Sequence, residues 1–239
     1  MIEDIICTLA GITSVTGGKG KIVEFFGPGT ANLSATSMAT VGNMSAEIGT
    51  TSCIFPYSSS TSRYLHATNR SAVAHAAEEN LDLLLPDAGS DKYYDEVIEI
   101  DLNKLEPTIN GPYTPDLSHP LSQLSAAVKE NSWPAKLSAS LVGSCTNSSY
   151  EDLMKVAGLV TQASQAGVEL KIPFYISCGS EQIRSAVERD GILNVLREGG
   201  ATILSNSCGP CVGQWTRTDV QKVSQICAIL WAMAIWSRY

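Results

Sequence analysis

The 239 residues carry sixteen basic and twenty-four acidic side chains, a formal net charge of −8, with 44% apolar and 17% charged content. This is the composition of a soluble globular chain with a sizeable core, long enough for one large or two ordinary α/β domains. An acidic surface repels phosphate backbones and anionic lipid, so nucleic acid and membranes are not expected partners, and an anionic substrate needs a locally positive site.

The opening segment, MIEDIICTLAG, is acidic where a secretory or transit leader would be basic, so no import sequence is read there. KIVEFFG (21–27) has the pattern of a strand running into a glycine turn. Residues 34–48 are expected to be helical, CIFPY (53–57) a short strand, and 71–84 helical again. EVIEIDL (96–102) alternates Ile98, Ile100 and Leu102 against Glu99 and Asp101, the pattern of a half-buried strand. Pro107, Pro112, Pro115 and Pro120 break the next stretch, which marks 105–135 as a connection between two α/β units.

The second half alternates more cleanly. LSASLVG (137–143) is a buried-strand candidate. Leu153, Val156, Ala157 and Val160 then fall at helical spacing, with Ser148 and Glu151 in the capping-box pattern before them. IPFYIS (172–177) is the next strand. A helix from Ser180 pauses at Asp190-Gly191 and resumes at Ile192, and ATILSN (201–206) is the third strand. Such a β-α-β-α-β order implies parallel strands joined by crossover helices. The apolar run from Ile226 to Trp236 is too short to span a bilayer as a helix.

The chemistry-bearing residues are cysteines. Cys145 follows the 137–143 strand in VGSCTNSSYEDL, and Cys208 and Cys211 follow the third strand in SNSCGPCVGQW. Sites in open α/β sheets form at the carboxyl ends of strands, so both motifs are expected on one rim. Thiolates are soft ligands, and a C-x-x-C pair with a third cysteine suits zinc or an iron–sulfur cluster. A redox pair or a zinc knuckle also uses C-x-x-C, and spacing alone weighs a metal site evenly against unrelated buried thiols. A structural zinc site normally needs a fourth ligand. The three histidines, His66, His75 and His119, lie in unrelated segments without ligand spacing and are expected to be ordinary surface or core residues. Seven cysteines, an odd number, suit a reducing compartment.

GSCTNSSYEDL and SNSCGPCVGQW, with VGNMSAEIGTT, NGPYTPDLSHP and GSEQIRSAVERDG, closely resemble the aconitase family, namely mitochondrial-type aconitases and their fungal homocitrate-dehydrating relatives. The likeness runs over residues 1–222. It implies two three-layer α/β/α units with mainly parallel sheets, over 1–104 and 136–222, separated by the 105–135 connection and followed by a divergent tail at 223–239. It further implies that Cys145, Cys208 and Cys211 ligate a [4Fe-4S] cluster. Ser144, Thr146, Asn147 and Gly209 would surround that cluster. Asn43 would lie near it, and Glu47 would act on the substrate hydroxyl or iron-bound water. From spacing, Asn43 and Glu47 share a helical face at i, i+4. Gln182 and Arg184 are expected to fix a helix start. Cys7, Cys53 and Cys227 are expected to be non-ligand thiols, and Cys178 stands where relatives typically have proline.

The implied activity is reversible dehydration and hydration of a tricarboxylic acid (citrate, cis-aconitate, isocitrate) by a monomeric enzyme of the mitochondrial matrix. Homocitrate dehydration in lysine synthesis is the alternative. The family's upstream Asp-His pair and its C-terminal domain, with a serine base and an arginine for a substrate carboxylate, find no match in these residues. From Val223 onward VSQICAILWAMAIWSRY departs from the family pattern and reads as an altered end. A non-catalytic cluster-binding remnant is therefore the competing reading, with no citrate isomerisation expected from these residues alone.

Overall fold

The computed structural model describes residues 2–133 and 135–216, with two short strands at 229–230 and 233–234. Its architecture is mixed helix and strand with small, mainly parallel sheets, the α/β class expected.

The chain opens with helix α1 (Ile2–Thr13), which the acidic opening of the chain did not suggest. Glu3, Asp4, Ile5, Ile6, Cys7, Leu9 and Ala10 are all buried in it. Strand β1 (Ile22–Glu24) crosses through helix α2 (Ala35–Met44) to β2 (Ser52–Ile54), and the two strands pair in parallel. Ser34 caps α2 by accepting from the Ser37 N–H. Ile6, Cys7, Leu9 and Ala10 pack against Val41, Met44 and Ile48, and the rings of Phe25 and Phe55 stack beside them at 4.4 Å. Burial of each such aliphatic side chain stabilises the fold by roughly 1.5–3 kcal/mol.

Helices α3 (Ser59–Ala67) and α4 (Ser71–Glu78) form a hairpin. The helix expected over 71–84 stops at Glu78 and is followed by a separate 3-10 turn at Leu81–Leu83. The strand expected over 96–102 does not form. Ile98, Ile100 and Leu102 do face the core, against the clusters built on α1 and α2. The alternation there reports one-sided burial of an extended segment, which among the described residues has no ladder partner. The 105–135 segment has structure of its own: β3 (Thr108–Asn110) pairs antiparallel with β4 (Ser118–Pro120), and α5 (Leu121–Glu130) follows.

Strands β5 (Ser140–Val142), β6 (Phe174–Ile176) and β7 (Ala201–Ile203) form a parallel sheet in sequential order, connected by α6 (Tyr150–Gln165) and by α7 (Glu181–Arg189) with α8 (Ile192–Glu198). Sequential order with right-handed crossovers places these helices on one face. Val142, Ile176 and Ala201 meet Leu153, Val156, Val187, Leu193 and Leu196 there. On the other face Tyr175 meets Trp215 edge to face. Gly191, at φ +77°, makes the break between α7 and α8. The capping box of α6 lies one residue beyond the expected one, on Ser149 and Asp152. Ser148 is occupied otherwise, its buried hydroxyl donating to the Ser144 carbonyl.

Strands β8 (Ile229–Leu230) and β9 (Met233–Ala234) pair with each other, and β9 pairs with β3. The rest of the 223–239 tail, including Cys227 and most of the Ile226–Trp236 run, lies outside the described residues. No helix among the described residues is long and apolar enough to cross a membrane.

Candidate functional site

The carboxyl ends of β5, β6 and β7 are tied into one rim. Ser177 N–H donates to the Val142 carbonyl at 2.9 Å, and Leu204 N–H donates to the Ile176 carbonyl at 2.7 Å. The Ser177 hydroxyl donates to the Ser205 and Ser207 carbonyls, which holds the loop leading to Cys208. Gly143 is required beside it: its φ is +148°, and a Cβ there would lie 2.8 Å from the Ser177 carbonyl oxygen. The loop Ser144–Ser148 therefore leaves β5 pressed against the turn after β6.

From this rim Cys145 and Cys208 are exposed and Cys211 is half-buried, all three as free thiols. Cys208 precedes a 3-10 turn (Gly209–Val212), closed by the Cys211 N–H donating to the Cys208 carbonyl at 2.8 Å. Cys211 also packs against the apolar cluster of α1 and α2, so this turn is seated between the two halves of the chain. Burial pushes its thiol up. The Ser144 hydroxyl opposes that by favouring the thiolate, and negative charge at Cys145, Cys208 and Glu47 adds to the rise.

Asn43, exposed near the end of α2, donates from Nδ2 to the Cys145 carbonyl at 3.0 Å. Thr40, one turn earlier, donates to the Thr146 carbonyl at 3.3 Å. The shared α-helical face expected for Asn43 and Glu47 is not continuous. The α-helix ends at Met44, and Glu47 sits in a 3-10 turn over Ser45–Ile48 that Gly49 closes in the left-handed region. The tighter winding rotates Glu47 away from the i, i+4 position, yet its charge still reaches Cys211.

Asn147 lies fully buried behind the loop and donates from Nδ2 to Glu3 Oε1 of α1 at 2.8 Å. Burial pushes the Glu3 carboxyl above its ordinary value of 4.5. Two buried oxygens of the loop, Ser144 Oγ and Asn147 Oδ1, lack a partner of full hydrogen-bond geometry.

Cys178 is excluded from the site. It is buried within the apolar cluster of β5–β7 and α6–α8, and burial raises its thiol. Cys7 is buried in α1, where enclosure and the adjacent Asp4 and Glu3 charges push its thiol far up. Cys53 is half-buried on β2. Arg184 pairs with Glu181 at 3.7 Å in the first turn of α7, which Ser180 caps.

The donor set fits an iron–sulfur cluster. Soft thiol ligands, two of them accessible, leave the loops of one rim, and the buried Ser144 Oγ in the same loop as Cys145 has no partner of full hydrogen-bond geometry. Among the described residues the three cysteines do not form a trio with ligand atoms within 4.8 Å of one another, as a single ion would need.

Residues 1–230 match the Aconitase family (aconitate hydratase). The chain is 54% identical over 224 residues to the mitochondrial homocitrate dehydratase of Saccharomyces cerevisiae, covering 93% of this chain and 28% of that protein. It is 52% identical to the mitochondrial aconitate hydratase of Schizosaccharomyces pombe and 51% identical to that of Saccharomyces cerevisiae, covering 92% of this chain and 28% of each. The chain thus spans little more than a quarter of the length of the curated relatives it matches, and the family match reaches past Lys222, where the resemblance read from the sequence stops. With its cysteine loops framed by the ends of β5 and β7 and matched nearly throughout, the chain belongs to the aconitase family.

Proposed function

We propose that these residues form the cluster-holding part of a [4Fe-4S]-dependent hydro-lyase that reversibly removes water from a tricarboxylic acid, citrate and isocitrate through cis-aconitate. The observation that carries this reading is the placement of the Cys145 and Cys208 loops after the carboxyl ends of β5 and β7, with Asn43 of α2 bonded to the Cys145 carbonyl. Cys145, Cys208 and Cys211 would hold the cluster. When bound, such a cluster supplies an open iron that acts as a Lewis acid toward the departing hydroxyl.

The chain's own groups do the rest of the positioning. Asn43 and Thr40 hold the carbonyls of Cys145 and Thr146, which fixes the direction in which the Cys145 thiol leaves the loop. The Ser144 hydroxyl favours the thiolate form of Cys211. Glu47 Oε, on the accessible side, moves the proton that accompanies the hydroxyl as it becomes water. Asn147 keeps the loop shut from behind and excludes water from that side.

Homocitrate, longer than citrate by one methylene, is the alternative substrate, supported by the 54% identity to the yeast homocitrate dehydratase. The names of these relatives place them in mitochondria, and we assign the chain the same compartment, in the matrix, as a monomer.

Anaerobic reconstitution with iron and sulfide, followed by absorption and EPR spectra, tests the reading. A cluster signal lost on Cys145→Ser, Cys208→Ser or Cys211→Ser is expected. A product without cluster after complete reconstitution sinks it. Parallel turnover assays with citrate and homocitrate assign the substrate.

A further inference from the structure

A second constellation lies on the α3–α4 hairpin, away from the cysteine rim. His66 is in the last turn of α3, and His75 and Glu78 are three residues apart on α4, hence on one helical face. The hairpin turn between the helices folds the two segments together, so that one ligand atom from each of the three side chains lies within 4.8 Å of the other two. The imidazoles meet edge to face at 5.4 Å. Spacing in the sequence concealed this trio, because the histidines are nine residues apart on separate helices.

We propose that His66, His75 and Glu78 bind a divalent transition ion, Zn²⁺ being the best match, with its fourth position left to water. Two imidazoles and one carboxylate are a recognised donor combination for an open tetrahedral zinc site. Hard cations are disfavoured by the imidazoles, and iron–sulfur chemistry by the lack of sulfur.

The surroundings act as supports of the kind that orient metal ligands. His66 Nδ1 is hydrogen-bonded to Ser71 Oγ at 2.9 Å, which leaves Nε2 as the free ring nitrogen. Ser62 donates to Glu78 Oε1 at 2.6 Å, which holds the carboxylate and leaves its second oxygen. The nearby arginines are engaged elsewhere. Arg70 donates to Thr68 Oγ1 and lies over the Tyr64 ring, and Arg63 donates to Ser59. All three ligands are exposed, so an ion can enter without rearrangement of the core. Binding would cross-link α3 to α4, and the free energy of binding would become stability of the hairpin.

The cysteine rim also has affinity for zinc, so the test removes it. Full chain carrying C145S, C208S and C211S is titrated with ZnCl₂ by calorimetry, alone and with His75→Ala or His66→Ala added. One equivalent bound in the parent, weakened by at least about tenfold in each histidine variant, is expected. Binding that is absent, or unchanged by both variants, overturns the assignment. Because the triple substitution could disturb folding, the unaltered chain is followed by histidine side-chain NMR. Zn²⁺ should move the His66 and His75 signals and leave His119 in place. Movement of none, or of all three alike, overturns it equally.

Discussion

Asn43 Nδ2 donates to the backbone carbonyl of Cys145 across 3.0 Å, and so one helix of the first half of the chain sets the direction of a thiol that belongs to the second. Asn43→Ala removes the donor without opening the core. A loss of roughly 0.5–1.5 kcal/mol in urea unfolding is expected, together with faster bleaching of the reconstituted cluster. Unchanged bleaching would detach Asn43 from the site.

Cys178 and Cys145 should respond in opposite ways to the same substitution. Cys178→Ser puts a hydroxyl into an apolar cluster and should cost about 1–3 kcal/mol of stability while leaving iron content intact. Cys145→Ser, at an exposed position, should leave the unfolding midpoint nearly unchanged and remove cluster binding. Iron analysis alongside denaturant titration reads both at once.

Two glycines provide a matched pair for the backbone. Gly143→Ala forces a Cβ against Ser177 at a positive φ and should destabilise by about 1–3 kcal/mol or more. Gly158→Ala lies in the middle of α6 with open space around the added carbon and should stabilise by roughly 0.5–1 kcal/mol. Thermal melts of the two variants should move in opposite directions.

Glu3 and Glu151 should give opposite pH slopes. Burial raises the Glu3 pKa, so the folded state holds its proton more tightly than the unfolded one, and stability falls as pH rises from 4.5 through the raised value. Glu3→Gln should flatten that fall. For Glu151, partial burial raises the pKa, but the Lys155 ammonium and the hydroxyls of Thr36 and Ser34 outweigh it and the net shift is downward. Its contribution is complete above 4.5 and is lost as pH falls through the lowered value. Glu151→Gln should therefore remove stability at neutral pH and leave acid stability alone. Difference curves of unfolding free energy against pH, each variant minus parent, isolate the two groups.

The sheet of β5, β6 and β7 was legible because its strands are short apolar runs separated by helices of clear period, and Cys145 and Cys208 lie in the loops that follow β5 and β7. Other features were hidden for identifiable reasons. Helix α1 buries two carboxylates along with its aliphatic residues, so its pattern shows no polar face. Helix α3 (SSTSRYLHA) has few apolar residues and is announced mainly by its cap, the Ser58 hydroxyl accepting from the Thr61 N–H. At 96–102 alternation was present and pairing was not, since a side-chain period reports burial and says nothing of hydrogen-bond partners. The His66–His75 approach arises from the hairpin alone, and linear spacing carries no trace of it.

Helix α1 takes its polar partners from distant parts of the chain. Its Asp4 accepts from the Thr108 N–H, the carbonyl of Cys7 accepts from Asn110, and Glu3 accepts from Asn147. The polar groups of this helix thus find partners 103 to 144 residues further along the chain. The loop that carries Cys145 thus also closes over α1, so a disturbance of that loop reaches the core of the first half through the Asn147–Glu3 bond.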